Sequence, residues 1–240
     1  MRYEFYYWAG IQGRGEFVRL ALEQTEAEYV DVARQAGGEA AMMRLLDGKD
    51  VEHPPFAPPY LKAGEMLIGQ TANILFYLGP RHDLAPISEA GLLWAHQLQL
   101  TIADFVDEAH DTHHPIASSL YYEDQRREAR ARAADFLKSR APKYLGYFDR
   151  VLERNPAGPA HLAGAELTYP DLALFQIVAG TRYAFPRAMA RLEPKYPRVV
   201  ALHDRVAALP RIAAYLASDR RIPFNEHGIF RHYPELDSAA

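Results

Sequence analysis

The chain has 240 residues, 49% hydrophobic and 24% charged, with a net charge of −4. That suits one large or two small globular domains with a real core. The mildly acidic balance speaks against a nucleic-acid-binding face, and no apolar run reaches the roughly 20 residues that span a bilayer. There is no cysteine, which excludes disulfides, thiolate metal sites, C-x-x-C redox chemistry and a cysteine nucleophile together.

Residues 2–8 are apolar and aromatic and predict a first strand, followed by a turn at Gly10 and Gly13. Residues 16–24 predict a helix with Phe17, Val18, Ala21 and Leu22 on one apolar stripe. A short strand is expected at 29–32 and a helix at 36–47. His53-Pro54-Pro55-Phe56-Ala57-Pro58-Pro59 is neither helix nor central strand. Residues 60–62 and 66–68 flank Ala63-Gly64-Glu65 as a hairpin, and 71–78 closes the unit as a helix. The expected order is β-α-β-α-β-β-α.

Residues 81–88 read as a linker, and beyond them only helices are expected, over 89–113, 125–153, 168–185 and 198–217. Thr168 and Asp171 form a capping-box pattern, with Leu167 and Leu172 at the staple positions and Pro170 tolerated in the first turn. The tail over 220–236 carries Pro223, Phe224, Ile229, Phe230 and Tyr233, too apolar to hang free, so it is expected to dock. The opening MRYEFYYWAG lacks the basic start and apolar stretch of a signal peptide, so a cytoplasmic location is expected.

Four segments together resemble one family. The stretch Tyr6-Tyr7-Trp8-Ala9-Gly10-Ile11-Gln12-Gly13-Arg14-Gly15-Glu16-Phe17-Val18-Arg19 looks like an aromatic pair ending a strand, then an Arg/Gly turn into a helix. Pro58-Pro59-Tyr60-Leu61 resembles an x-Pro-x-Leu segment. Gly69-Gln70-Thr71-Ala72-Asn73-Ile74-Leu75-Phe76-Tyr77-Leu78 is close to a Gln-Ser-x-Ala-Ile-x-x-Tyr-Leu run. Thr168-Tyr169-Pro170-Asp171, Tyr196-Pro197 and residues 209–216 match a helical-domain pattern. In this order they resemble the cytosolic glutathione S-transferases, of a tyrosine-type, bacterial-like kind.

The resemblance implies a thioredoxin-like glutathione-binding domain over 1–80, a linker over 81–88, and an all-helical substrate-binding domain with a docked tail over 89–240. The implied activity is conjugation of glutathione to a small hydrophobic electrophile, by a homodimer in the cytoplasm. Glutathione serves as co-substrate, and no prosthetic cofactor, metal, nucleic acid or membrane is expected. A non-catalytic glutathione-binding or scaffold protein of the same fold is the alternative.

Tyr7 is expected to donate its hydroxyl to the glutathione sulfur, with Tyr6 the alternative, because successive strand residues face opposite ways and only one can serve. The first serine is Ser88, so no serine stands near the first turn. Gln12 and Arg14 are further candidates for polarising the sulfur. Gln70 and Thr71 are expected to hold the γ-glutamyl carboxylate, where a helix start offers N–H groups. Pro59 is the expected cis proline; Pro58 has no N–H, so only its carbonyl is on offer to the cysteinyl part. Trp8 is expected to wall the glutathione site. Arg34, Arg44 and Lys49 are candidates for the glycine carboxylate. Phe105, His110 and Tyr121, with His113, His114 and Tyr122 nearby, are expected around the acceptor substrate. His110, His113 and His114 have a spacing that can gather imidazoles on one face, although the expected reading is a solvated or pocket-lining helix end without metal.

Overall fold

The computed structural model of the chain describes residues 1–48 and 51–237. Strand β1 (Tyr3–Tyr6) is followed by α1 (Gly15–Gln24), β2 (Tyr29–Asp31), α2 (Gly38–Asp47), β3 (Tyr60–Ala63), β4 (Met66–Gly69) and α3 (Thr71–Leu78). That is the order expected of a thioredoxin-like unit. The sheet runs β2-β1-β3-β4, with β1 parallel to β2 and antiparallel to β3. A two-residue Gly64-Glu65 turn joins β3 to β4, pairing Ala63 with Met66, and Gly64 takes the positive φ of 64° that such turns require. The Pro58-Pro59 bond is cis, as the resemblance implies.

The sheet has two apolar faces. Tyr3, Phe5 and Tyr7 pack with Val18 and Leu22 of α1 and Ile74 and Leu78 of α3. Tyr6 and Tyr60 lie on the other face with Met42 of α2. The single stripe expected on α1 is too narrow a description. Phe17, Leu20 and Ala21 join the helical core instead, so α1 is buried between sheet and helices and is apolar on both sides.

The remaining elements are helical: α4 (Glu89–Asp111), α5 (Arg126–Asp135), α6 (Ala141–Arg154), α7 (Tyr169–Ala184), α8 (Pro186–Leu192), α9 (Pro197–Ala207) and α10 (Pro210–Leu216). Two differences from expectation have local causes. The helix expected over 125–153 contains a π-helical turn, Phe136–Arg140, between α5 and α6. The helix expected over 198–217 breaks at Leu209, because Pro210 has no N–H to continue a helix and a φ suited to starting one. Helix α8 was not foreseen; Pro186 opens it. At the start of α7 the Asp171 carboxylate accepts from the Thr168 N–H and hydroxyl, both at 2.7 Å, and from the Leu162 N–H at 2.7 Å. The acidic half of the capping box is therefore in place.

The tail docks. Ile222, Ile229, Phe230 and Leu236 are buried, and the Asp237 carboxylate accepts from the Arg187 and Ala188 N–H groups at 2.8 and 3.0 Å. Phe230 lies directly on Gly180 of α7: a Cβ there would stand 2.2 Å from its ring. Gly180→Ala is therefore expected to displace Phe230, at a cost of about 1–3 kcal/mol for overpacking. Trypsin should then cut the tail at Arg220, Arg221 or Arg231 much faster than in the parent chain. An unchanged cleavage rate in Gly180→Ala would show that Phe230 does not anchor the tail.

Candidate functional site

Strand β1 ends at Tyr6, and the pleat sends Tyr6 and Tyr7 to opposite faces. Tyr6 stacks on Tyr60, with ring centroids 4.8 Å apart, and donates its hydroxyl to Glu4 Oε2 at 2.5 Å. Its proton is committed, and burial together with Glu4 pushes its pKa well above the usual tyrosine range.

Tyr7 lies under the turn that leads into α1. A Cβ on Gly13 would sit 2.0 Å from the Tyr7 hydroxyl oxygen, and one on Gly15 would sit 2.5 Å from its ring. The turn can close over the tyrosine only because both positions are glycine. Gly13 also holds a φ of +46°, a conformation costly for other residues. The Arg14 N–H donates to the Tyr7 oxygen at 2.9 Å, and among the described residues no group accepts the Tyr7 proton. Burial raises the Tyr7 pKa, partly opposed by the Arg14 N–H and the charges of Arg14 and Arg19. The hydroxyl is therefore a protonated donor at neutral pH.

The same turn gathers other expected residues. The Thr71 hydroxyl, at the start of α3, donates to the Arg14 carbonyl at 3.3 Å. The Arg14 guanidinium pairs with Asp107 of α4. Gln70, the residue before α3, holds φ 68° and ψ 121°, a sparsely populated conformation for a residue with a side chain. Such strain collects at binding sites and switch regions. Trp8 is 40% exposed just beyond β1. Pro59 is buried and Pro58 half-buried ahead of β3. Tyr7, Arg14 and Thr71 are thus joined by direct contacts, while Lys49 lies outside the described residues.

Four expectations are corrected. Phe105 does not line an open pocket: it is fully buried and stacked on Tyr144 with centroids 4.7 Å apart, inside the helical core. Gln12 is engaged elsewhere: its Nε2 donates to the Ile222 carbonyl at 2.5 Å and its Oε1 accepts from Gln176 at 2.8 Å. Arg34 donates to the Arg220 and Asp219 carbonyls at 2.6 and 3.0 Å, so it holds the tail. Tyr122 is buried, stacked on Tyr233 with centroids 3.8 Å apart, and its hydroxyl donates to Glu235 at 2.9 Å. Of the remaining candidates, Arg44 is exposed on α2 and Tyr121 is 77% exposed. His110 is half-buried at the end of α4, one turn beyond Asp107, and its pKa is lowered by burial and then by the Arg14 charge.

A buried charged network, not evident from the sequence, joins α1 to the C-terminal tail. Glu16, fully buried on α1, accepts from the Tyr215 hydroxyl at 2.7 Å, Arg221 Nη1 at 2.5 Å and Arg19 Nη1 at 3.4 Å. Arg19 in turn donates to Asp31 at 2.7 Å. A Glu and an Arg three apart among apolar helix residues are the signal that could have found it, because neither is buried without a partner.

Comparison with known proteins agrees with this fold. A family model described as "Glutathione S-transferase, C-terminal domain" matches residues 110–219. A glutathione S-transferase of Plasmodium falciparum is 23% identical over 216 residues, covering 88% of this chain and 94% of the relative. Glutathione S-transferase Mu 6 of Mus musculus is 27% identical over 223 residues, covering 90% and 91%. Among solved structures, prostaglandin synthase D of Nilaparvata lugens superposes with a TM-score of 0.71 at 21% identity, over 93% of this chain and all of that one. A thioredoxin-like unit followed by helices, a family model over residues 110–219 and relatives matched over nearly their full length agree on one likeness: the chain is similar to the glutathione S-transferases.

Proposed function

We propose that this chain is a glutathione transferase in which the Tyr7 hydroxyl stabilises the glutathione thiolate. One observation carries the reading: Arg14 N–H donates to the Tyr7 oxygen at 2.9 Å, while the Tyr7 proton has no acceptor among the described residues. An N–H donated to a hydroxyl oxygen polarises it and makes its proton a better donor. A free thiol has a pKa near ~8.5, so only a few per cent is thiolate at pH 7. A hydrogen bond to the sulfur anion lowers that pKa. The thiol proton leaves to solvent, the thiolate attacks the electrophilic carbon, a C–S bond forms and the leaving group departs with its electron pair.

In this reading Gln70 and Thr71 hold the γ-glutamyl carboxylate at the start of α3. The Pro58-Pro59 segment meets the cysteinyl part, Trp8 walls the site, and Lys49 or Arg44 serves the glycine carboxylate. His110 and Tyr121 border a small hydrophobic electrophile. Residues 1–80 form the glutathione domain, 81–88 the linker and 89–240 the acceptor domain. The protein works in the cytoplasm as a homodimer, a reading supported by exposed apolar side chains: Phe56 is 96% exposed, and Leu93 and Leu100, seven apart on α4, are 60% and 48% exposed.

Calorimetry with glutathione, followed by conjugation to an activated aryl halide, tests the proposal. Saturable binding below about 1 mM with turnover is expected. No heat at millimolar glutathione would contradict it, and binding without turnover on any electrophile would favour a non-catalytic glutathione-binding protein.

A further inference from the structure

His110, His113 and His114 lie where α4 ends, and their ring nitrogens, one from each, all fall within 4.8 Å of one another. The three ring centroids are 4.7, 5.0 and 5.1 Å apart. Three imidazoles on one tetrahedral ion, with metal–nitrogen bonds of about 2.0–2.1 Å, put their centroids roughly 5 Å apart. The outer contacts also suit ligation. His113 Nε2 lies 2.7 Å from the Ile229 carbonyl. A carbonyl can only accept, so Nε2 carries the proton and Nδ1 keeps the lone pair, and that Nδ1 faces His114 Nδ1 at 2.5 Å. His110 Nδ1 is 3.6 Å from the Asp111 carboxylate, which leaves Nε2 to turn inward. An oxygen acceptor on the far nitrogen is the usual way a ligating histidine is oriented.

We propose that His110, His113 and His114 bind one divalent transition-metal ion of the zinc type, with the fourth position open to water or another oxygen. Imidazole ligands suit zinc, nickel and copper rather than magnesium or calcium. Two adjustments are needed. The His113 and His114 nitrogens must separate to roughly 3.3 Å, the spacing of two ligands on one tetrahedral ion. The His110 ring, 22° from parallel with that of His114, must turn about χ2, a soft torsion in histidine. The charged groups facing the cluster are the Asp111 carboxylate, which favours a cation, and Arg231 and Arg14, which oppose it. Because His113 also holds the Ile229 carbonyl, a bound ion would tie the end of α4 to the docked tail. The cluster shares His110 with the proposed acceptor site, but metal binding is read without glutathione, so the two proposals fail separately.

The test uses untagged, metal-stripped full-length protein titrated with Zn²⁺ in a calorimeter and with Co²⁺ by visible absorption. One ion per chain is expected, with the d–d bands of a tetrahedral site. His110→Ala and His114→Ala should each weaken binding by about 100-fold or more. Arg231→Gln, which removes an opposing charge and adds no ligand, should tighten it severalfold. If His113→Ala fails to fold, the other three variants still decide. Absence of binding in the parent protein, binding that survives His114→Ala, or weaker binding in Arg231→Gln would each overturn the proposal.

Discussion

Tyr7→Phe is expected to lower the conjugation rate about 100-fold near neutral pH, while glutathione affinity stays within a few-fold. The size follows from what the hydroxyl supplies. Removing one donor aimed at a developing anion typically costs about 10²–10³ in rate. Lowering a thiol pKa by two units corresponds to about 2.7 kcal/mol, a reasonable demand on one charge-assisted hydrogen bond. Phenylalanine keeps the ring that packs with Phe5, Val18 and Leu22, so the fold should survive. The Arg14 N–H loses its acceptor, which adds a modest stability cost of about 1 kcal/mol. Because the loss acts through thiolate fraction, the rate–pH profile should shift upward by about two units, and activity should recover toward the parent value at alkaline pH. Tyr6→Phe breaks a bond to Glu4 on the opposite face of the sheet and should leave the rate within about threefold, the cost of a small structural change. Steady-state kinetics across pH on both variants check this. Equal losses in the two variants would remove Tyr7 from its proposed role.

The second large effect is on stability. Glu16→Ala is expected to destabilise the protein by about 3–5 kcal/mol, the typical cost of removing one partner from a buried ion pair. Glu16 and Arg19 are both fully buried, and Arg221 is nearly so. Without the carboxylate, Arg221 and the Tyr215 hydroxyl lose their shared acceptor, and Arg19 keeps Asp31, the weak Ile11 carbonyl contact at 3.4 Å and its place over the Phe5 and Tyr7 rings. The network joins α1 to α10 and the tail, so the cost should appear in global unfolding. For a chain of this size the melting temperature should fall by roughly 10 °C. Urea or thermal unfolding measures it, and a loss under about 1 kcal/mol would mean that solvent reaches the network and screens it.

How far the sequence could be read depends on how local each signal is. The hairpin, the α3 start at Thr71 and the Asp171 cap are set by neighbouring residues, and each stands where it was expected. The cis Pro59 bond came from family resemblance, since residue type alone does not choose the isomer. What escaped was long-range. Phe105 looks like any apolar residue on a long helix, and only packing shows that it faces Tyr144 in the core rather than a cleft. Gln12 looks like a polar turn residue, yet its amide is bonded to Ile222 and Gln176, more than 160 residues away. Asp107 could not be matched to Arg14 by spacing. The preference for Tyr7 over Tyr6 in the proposed role rests on Glu4 and the Arg14 N–H, partners that strand alternation alone does not name.

The most direct measurement is the ionisation of the bound thiol itself. Glutathione bound to the parent protein is titrated by the ultraviolet absorbance of its thiolate, beside Tyr7→Phe and Tyr6→Phe. An apparent thiol pKa of about 6.5 is expected in the parent protein and in Tyr6→Phe, two units below a free thiol, with a return to about 8.5 in Tyr7→Phe. A bound thiol that titrates near 8.5 in the parent protein, or a low pKa that persists in Tyr7→Phe, would contradict the role proposed for Tyr7.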